Sequence, residues 1–193
     1  MLLATDNNGN TSWHLGAQGG KLEVLQKIWE WAKENLTADE INNKLILATD
    51  IRGRTVCHLA ARWSNLELLQ KLWAWAKEKI TAEDINNKLL LNKDSYGLTA
   101  LSLAAECSKL DVTKIFEWAK EKPTTENMHK ELLLATDGMG MTAWHVAAQE
   151  CKLEILQKLW EWAKVILEPH EVCNKLLLAT DNRGRTVCHL AVR

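Results

Sequence analysis

The chain has 193 residues, with 24 basic and 25 acidic side chains, a net charge of −1 and 47% apolar residues. That balance excludes a global field favouring nucleic acid or an anionic membrane surface, and no apolar run has the length of a membrane-crossing helix. Five cysteines, an odd number without framework spacing, argue against a disulfide scaffold. A soluble cytoplasmic protein in a reduced compartment is the expectation, and a secreted effector is the alternative.

From the N-terminus, the first phrase with turn chemistry is Asp-x-x-Gly-x-Thr-x-x-His-Leu, from Asp6 to Leu15. It returns along the chain: Thr11, Thr55, Thr99, Thr142 and Thr186 are separated by 44, 44, 43 and 44 residues. Self-similarity at such a period implies a stack of units, each burying its apolar face against its neighbours. The units run 6–49, 50–93, 94–136 and 137–180, with a partial unit 181–193, in one continuous domain spanning 1–193. Leu2 to Thr5 match the end of unit one, Leu47 to Thr49, so the chain is expected to be a fragment of a longer array.

Within unit one, Asp6 and Gly9 make a turn, because Asp bonds its own backbone and Gly tolerates positive φ. Thr11 stands where a helix N-cap belongs, ahead of a short apolar helix from Ser12 to Ala17. A polar break leads to a second helix, Leu22 to about Lys33, whose Val24, Leu25, Ile28, Trp29 and Ala32 form one buried stripe. Trp31 sits at the edge of the stripe, as do Trp75, Trp118 and Trp162 in the other units, so an extra element is expected to cover it. Thr37-Ala38-Asp39-Glu40 reads as a capping box opening a third helix with Ile41, Leu45 and Ile46 inward. Unit four places Pro169 at the first position of the equivalent helix. Unit three is one residue shorter, and its second helix is expected to begin one residue late.

The segment Asp50 to Ala61, Asp-Ile-Arg-Gly-Arg-Thr-Val-Cys-His-Leu-Ala-Ala, resembles the ankyrin repeat phrase Asp-x-x-Gly-x-Thr-Pro-Leu-His-Leu-Ala-Ala. Leu66 to Leu69 resemble its second helix, and the likeness recurs in five copies. Two features depart from the family. The Pro after Thr is replaced by Ser12, Val56, Ala100, Ala143 and Val187, and the third helix stretches a period of about 33 residues to 44. The resemblance implies an all-α, ankyrin-like repeat solenoid with projecting hairpin fingers. With the first helices, those fingers would line a concave groove that binds other proteins.

Four histidines, His14, His58, His145 and His189, share one slot of the repeat, where the resemblance implies that imidazoles brace adjacent fingers. Cys57-His58 and Cys188-His189 are helical neighbours pointing about 100° apart, a poor ligand pair. No catalytic, cofactor or metal residues are expected, and the chain does not read as an enzyme. Arginine is rare, six against eighteen lysines, and clusters on the fingers and helix ends. With their apolar neighbours the arginines give a candidate partner-binding set: Ile51, Arg52, Arg54, Arg62, Trp63, Tyr96, Leu98, Met139 and Met141. Arg, aromatic and Met side chains are the residues that interfaces favour. All but Arg62 are expected to be exposed on one continuous face, serving a monomeric scaffold whose protein partner bears an acidic patch. The alternatives are a polyanion bound by the arginines, against which the balanced charge argues, and an architectural spacer. Units two and five share Arg-Gly-Arg-Thr-Val-Cys-His-Leu-Ala, 131 residues apart, so duplication of a three-unit block is the competing origin of the arginines.

Overall fold

The computed structural model describes residues 2–63, 65–107, 111–121 and 127–192. Unit one contains α1 (Ser12–Gln18), α2 (Leu22–Asn35) and α3 (Ala38–Glu40), which continues as a π-helical turn over Ile41–Ile46. Unit two repeats this as α4 (Val56–Arg62), α5 (Leu66–Lys79) and α6 (Ala82–Asp84) with its π-turn Ile85–Leu90. Unit three has α7 (Ala100–Cys107), α8 (Asp111–Glu121) and α9 (Met128–Leu134). Unit four has α10 (Ala143–Gln149), α11 (Leu153–Ile166) and α12 (Pro169–Glu171) with the π-turn Val172–Leu177, and α13 (Val187–Ala191) opens unit five. The chain is all-α; among the described residues there is no strand, only isolated bridges at Thr5–Thr11 and Thr136–Thr142. The expected late start of the unit-three helix falls on 108–110, outside the described residues.

Four of the five first helices begin with the same lock. Thr11 accepts the amide of His14, while His14 Nδ1 sits 2.8 Å from Thr11 Oγ1 and accepts the Thr11 amide at 3.3 Å. The other ring nitrogen is therefore the one carrying hydrogen, and it reaches the Ala48 carbonyl at 3.1 Å, at the foot of the next finger. His58 reaches Asn92 and Leu98, and His145 reaches Ala179, in the same way. Unit three substitutes Ser102, which pairs with Thr99 alone at 3.2 Å. Burial pushes the pKa of His14, His58 and His145 down, so all three are neutral braces.

First helices stack in chain order, α1 on α4, α4 on α7, α7 on α10 and α10 on α13, with the second helices behind them. The edge tryptophans meet aromatic rings that the sequence pattern does not specify. Trp75 lies 5.3 Å from Trp29 and 5.2 Å from Trp13, both of the preceding unit. Trp118 stacks on Trp73 at 4.8 Å, and Trp162 on Phe116 at 3.8 Å. Each of these rings docks on an aromatic ring of the unit before it. Trp31 has no such ring before it in this chain and is 46% exposed. The third helices bridge units too: the π-turns of units one and two pack on α5 and α8, and α9 packs on α11, the helices that carry Trp75, Trp118 and Trp162. A π-turn brings residues i, i+4 and i+5 to one side, and Ile41, Leu45 and Ile46 are all buried.

Candidate partner-binding surface

Every finger is one hydrogen-bonded hairpin built by its Asp. Asp50 Oδ1 accepts the amides of Arg52 and Arg54, each at 2.9 Å, and the Asp50 amide donates to the Arg54 carbonyl. Asp6, Asp94, Asp137 and Asp181 do the same at 2.8 to 2.9 Å. The Gly closing each hairpin is held at φ between 70° and 79°, from Gly53 and Gly184 to Gly97, where a Cβ would be strained. Asp50→Ala is expected to cost about 2 kcal/mol, because two amides and a guanidinium lose their acceptor. Urea unfolding measures the cost, and amide exchange at Arg52 and Arg54 should quicken with it.

Fingers are tied to one another tip to tip. The Ile51 amide donates to the Asn8 carbonyl, Ser95 to Arg52, Gly138 to Tyr96 and Asn182 to Met139, over 2.7 to 3.1 Å. Two residue positions follow from this frame. The residue two after Asp carries the carbonyl of the ladder and leaves its side chain free. Asn8, Arg52, Tyr96, Met139 and Arg183 occupy it, and all five are exposed. The residue four after Asp closes the hairpin and lies back against the stack, which settles the fate of three sequence-predicted residues.

Arg54, Leu98 and Met141 occupy that second position, and none belongs to the open surface. Met141 is only 6% exposed and Leu98 is half-buried against the core. Arg54 is half-buried with its guanidinium on Asp50 Oδ2, Nε at 2.8 Å and an Nη at 2.6 Å; Arg185 repeats the pair on Asp181. Burial raises both carboxyls, but the hydrogen bonds from their arginines outweigh it, and Asp181 falls to about 2. Each of these arginines braces its own finger from within, so of the nine candidate residues six are exposed, and the expected exposure of Arg54, Leu98 and Met141 is corrected.

The six are brought together in two places. Ile51, Arg52, Tyr96 and Met139 line the finger tips, at 69% exposure for Ile51, 61% for Tyr96 and 43% for Met139. Arg62 and Trp63 sit at the end of α4, Trp63 being 55% exposed, and share with Arg52 a polar pocket of about 340 Å³. Arg62 keeps a loose ion pair with Glu106 of the next unit, 3.7 Å apart, of the kind that contributes little in water. The first helices themselves are buried through α4, α7 and α10, and only their C-terminal ends reach the surface. Arg183 belongs to the same row and was legible in the sequence as the fifth copy of Arg52.

A larger pocket of about 570 Å³ lies on the third-helix side, walled by Leu91, Leu134 and three lysines. Its cations are already engaged. Lys130 and Lys175 both hold Glu171, at 2.6 and 2.9 Å, and Lys93 donates to the Thr136 carbonyl. Hydrogen bonds from Lys130 and then Lys175 take the Glu171 carboxyl down to about 2. Among the described residues, no group of three His, Cys, Asp or Glu is placed to hold a metal ion, and no helix is long and apolar enough to cross a membrane. No family model matches the chain, and no curated protein matches it either.

Proposed function

We propose that this chain is an ankyrin-like repeat scaffold that binds a partner protein along its row of finger tips. The observation that carries the reading is the free position itself. Five fingers are hydrogen-bonded into one ladder, and at each the side chain unused by the hairpin is open to solvent. Two of those side chains, Tyr96 and Met139, are large and apolar, and Ile51 adds a third beside them. Exposed aromatic and thioether groups on a rigid frame are what interfaces use as anchors. We read the role as binding and not catalysis, since His14, His58 and His145 reach backbone carbonyls at the next finger and Asp50 and Asp181 are held inside their own hairpins. Five free cysteines, with the Cys57 thiol pushed up to about 12 by burial, suit a reducing compartment such as the cytoplasm.

The test is a pull-down from the source cell with the wild-type chain and a Tyr96→Ala/Met139→Ala variant, each capture identified by mass spectrometry. Truncating two central anchors is expected to weaken the partner by about 2 kcal/mol or more. Stability should move by only about 0.5 kcal/mol, because both side chains are exposed. Changing Lys27 or Lys71, exposed on the outer side of the second helices, should alter neither. A partner retained in full by the double variant would place the contact elsewhere and sink the reading.

A further inference from the structure

Resting on the finger row as the contact surface, we infer that the partner offers a linear segment with acidic residues at both ends and an apolar centre. In chain order the row runs Asn8, Arg52, Tyr96, Met139, Arg183, so a cation stands on either side of two apolar side chains. The finger arginines divide by position. Arg54 and Arg185 are neutralised by Asp50 and Asp181, whereas no carboxylate among the described residues pairs with Arg52 or Arg183. Two guanidinium forks are thus left open, and a fork of this shape takes a carboxylate through two parallel hydrogen bonds.

The two ends are not equal. Arg52 shares its pocket with Arg62 and Trp63, and Arg62 is held only by the long contact to Glu106. The mutually neutralised Arg54–Asp50 pair also lines this pocket, so an acidic side chain entering there meets the two cations Arg52 and Arg62 and an aromatic face, and this end anchors more strongly than the Arg183 end. Between them Tyr96 and Met139 offer a ring and a flexible thioether, which adapts to irregular apolar shapes. A nucleic-acid backbone fits this row poorly. Phosphates recur at every step and their binding grows with each cation met, yet two successive fingers of the row provide none. A polypeptide can alternate charge and apolar surface as the row does. Because successive tips are hydrogen-bonded in a line, a segment that touches Arg52 and Arg183 together crosses four fingers and is elongated.

The experiment displays random 16-residue peptides to the full chain, then titrates labelled synthetic copies of the enriched peptides against wild type and variants. Enriched peptides are expected to carry Asp or Glu on both sides of an apolar centre. Replacing either acidic end by its amide should weaken binding about tenfold, as should Arg52→Glu or Arg183→Glu, with a larger loss for Arg52→Glu. Rising salt should weaken wild type more than a variant carrying both Arg52→Glu and Arg183→Glu. Enriched peptides that are lost with Tyr96→Ala, yet show no acidic ends and ignore both charge reversals, would overturn this inference and leave the finger row standing as the contact surface. Peptides indifferent to Tyr96→Ala, or no enrichment at all, would overturn both. A single-stranded 16-nucleotide DNA or RNA bound more tightly than any peptide, and released by Arg52→Glu, would make the ligand a polyanion and overturn the inference too. Arg52 and Arg183 are exposed at turn positions, so the variants keep the fold, and far-ultraviolet circular dichroism checks it.

Discussion

Replacing Trp13 by Ala should cost the stack about 4 kcal/mol, the loss expected when a fully buried indole leaves a cavity. Trp13 is closed off from solvent at the centre of a three-ring cluster, 6.1 Å from Trp29 and 5.2 Å from Trp75. Two of these rings belong to unit one and the third to unit two, so the cavity opens at a junction. Coupling in such stacks runs only between neighbours. Unit one should therefore detach before the rest, and urea unfolding followed by circular dichroism should lose its single transition. Trp13→Phe is the informative companion. It keeps a ring in the cluster and removes an indole N–H that has no hydrogen-bond partner, so its cost should be about 1 kcal/mol. Trp31→Ala, at an exposed copy of the Trp75 position, should cost less than Trp13→Ala by a wide margin. If Trp13→Ala and Trp31→Ala lower the urea midpoint equally, the ring cluster is not what joins the units.

That cluster shows what could and could not be read from the chain. The Asp-x-x-Gly-x-Thr phrase specifies local geometry through its own side chains, so the hairpin, the positive-φ glycine and the Thr cap were all legible. Helical periodicity placed most of the second-helix stripe: Leu25, Ile28, Trp29 and Ala32 are buried, but Val24, expected with them, is 52% exposed. The aromatic partners of Trp75, Trp118 and Trp162 were not legible, because periodicity reports which face is apolar and is silent about which ring arrives there. The π-turns escaped for a related reason: Ile41, Leu45 and Ile46 suit an α-helix and a π-turn almost equally well. Among site residues the fingers misled at one spacing. Arg54, Leu98 and Met141 alternate with Arg52, Tyr96 and Met139 and read as equally exposed. Only the pairing of residue four with the Asp amide turns the first set back against the stack. Unit five held the missing clue, since Arg183 and Arg185 reproduce Arg52 and Arg54 with the same division of labour.

Acid should loosen the stack in two steps, and the histidines set the first. Burial lowers the pKa of His14, His58 and His145 below 6.5, although hydrogen bonds to neighbouring carbonyls offset part of the effect. In the unfolded chain each imidazole takes a proton near its ordinary value, whereas the folded chain resists until lower pH. The unfolded state then binds more protons, so stability is fully present above about pH 6.5 and is lost as pH falls from there toward the folded values. Each histidine contributes a slope of at most about 1.4 kcal/mol per pH unit, so the three together set a ceiling of about 4. The second step belongs to Asp50, Asp181 and Glu171, whose carboxyls are held low by their arginine and lysine partners, the last two at about 2. Their contribution is present above the unfolded value near pH 4 and disappears as pH falls through the folded one. Urea midpoints measured from pH 7.5 to pH 3 should therefore decline gently from about pH 6.5 and more steeply below about pH 4. In His58→Ala the whole curve should sit lower, because Thr55, Asn92 and Leu98 lose a buried partner, but its slope between pH 6.5 and pH 5 should be shallower than wild type. A wild-type midpoint that stays level from pH 7 to pH 5 would mean that the imidazoles charge freely inside the folded stack, and that they do not act as neutral braces between units.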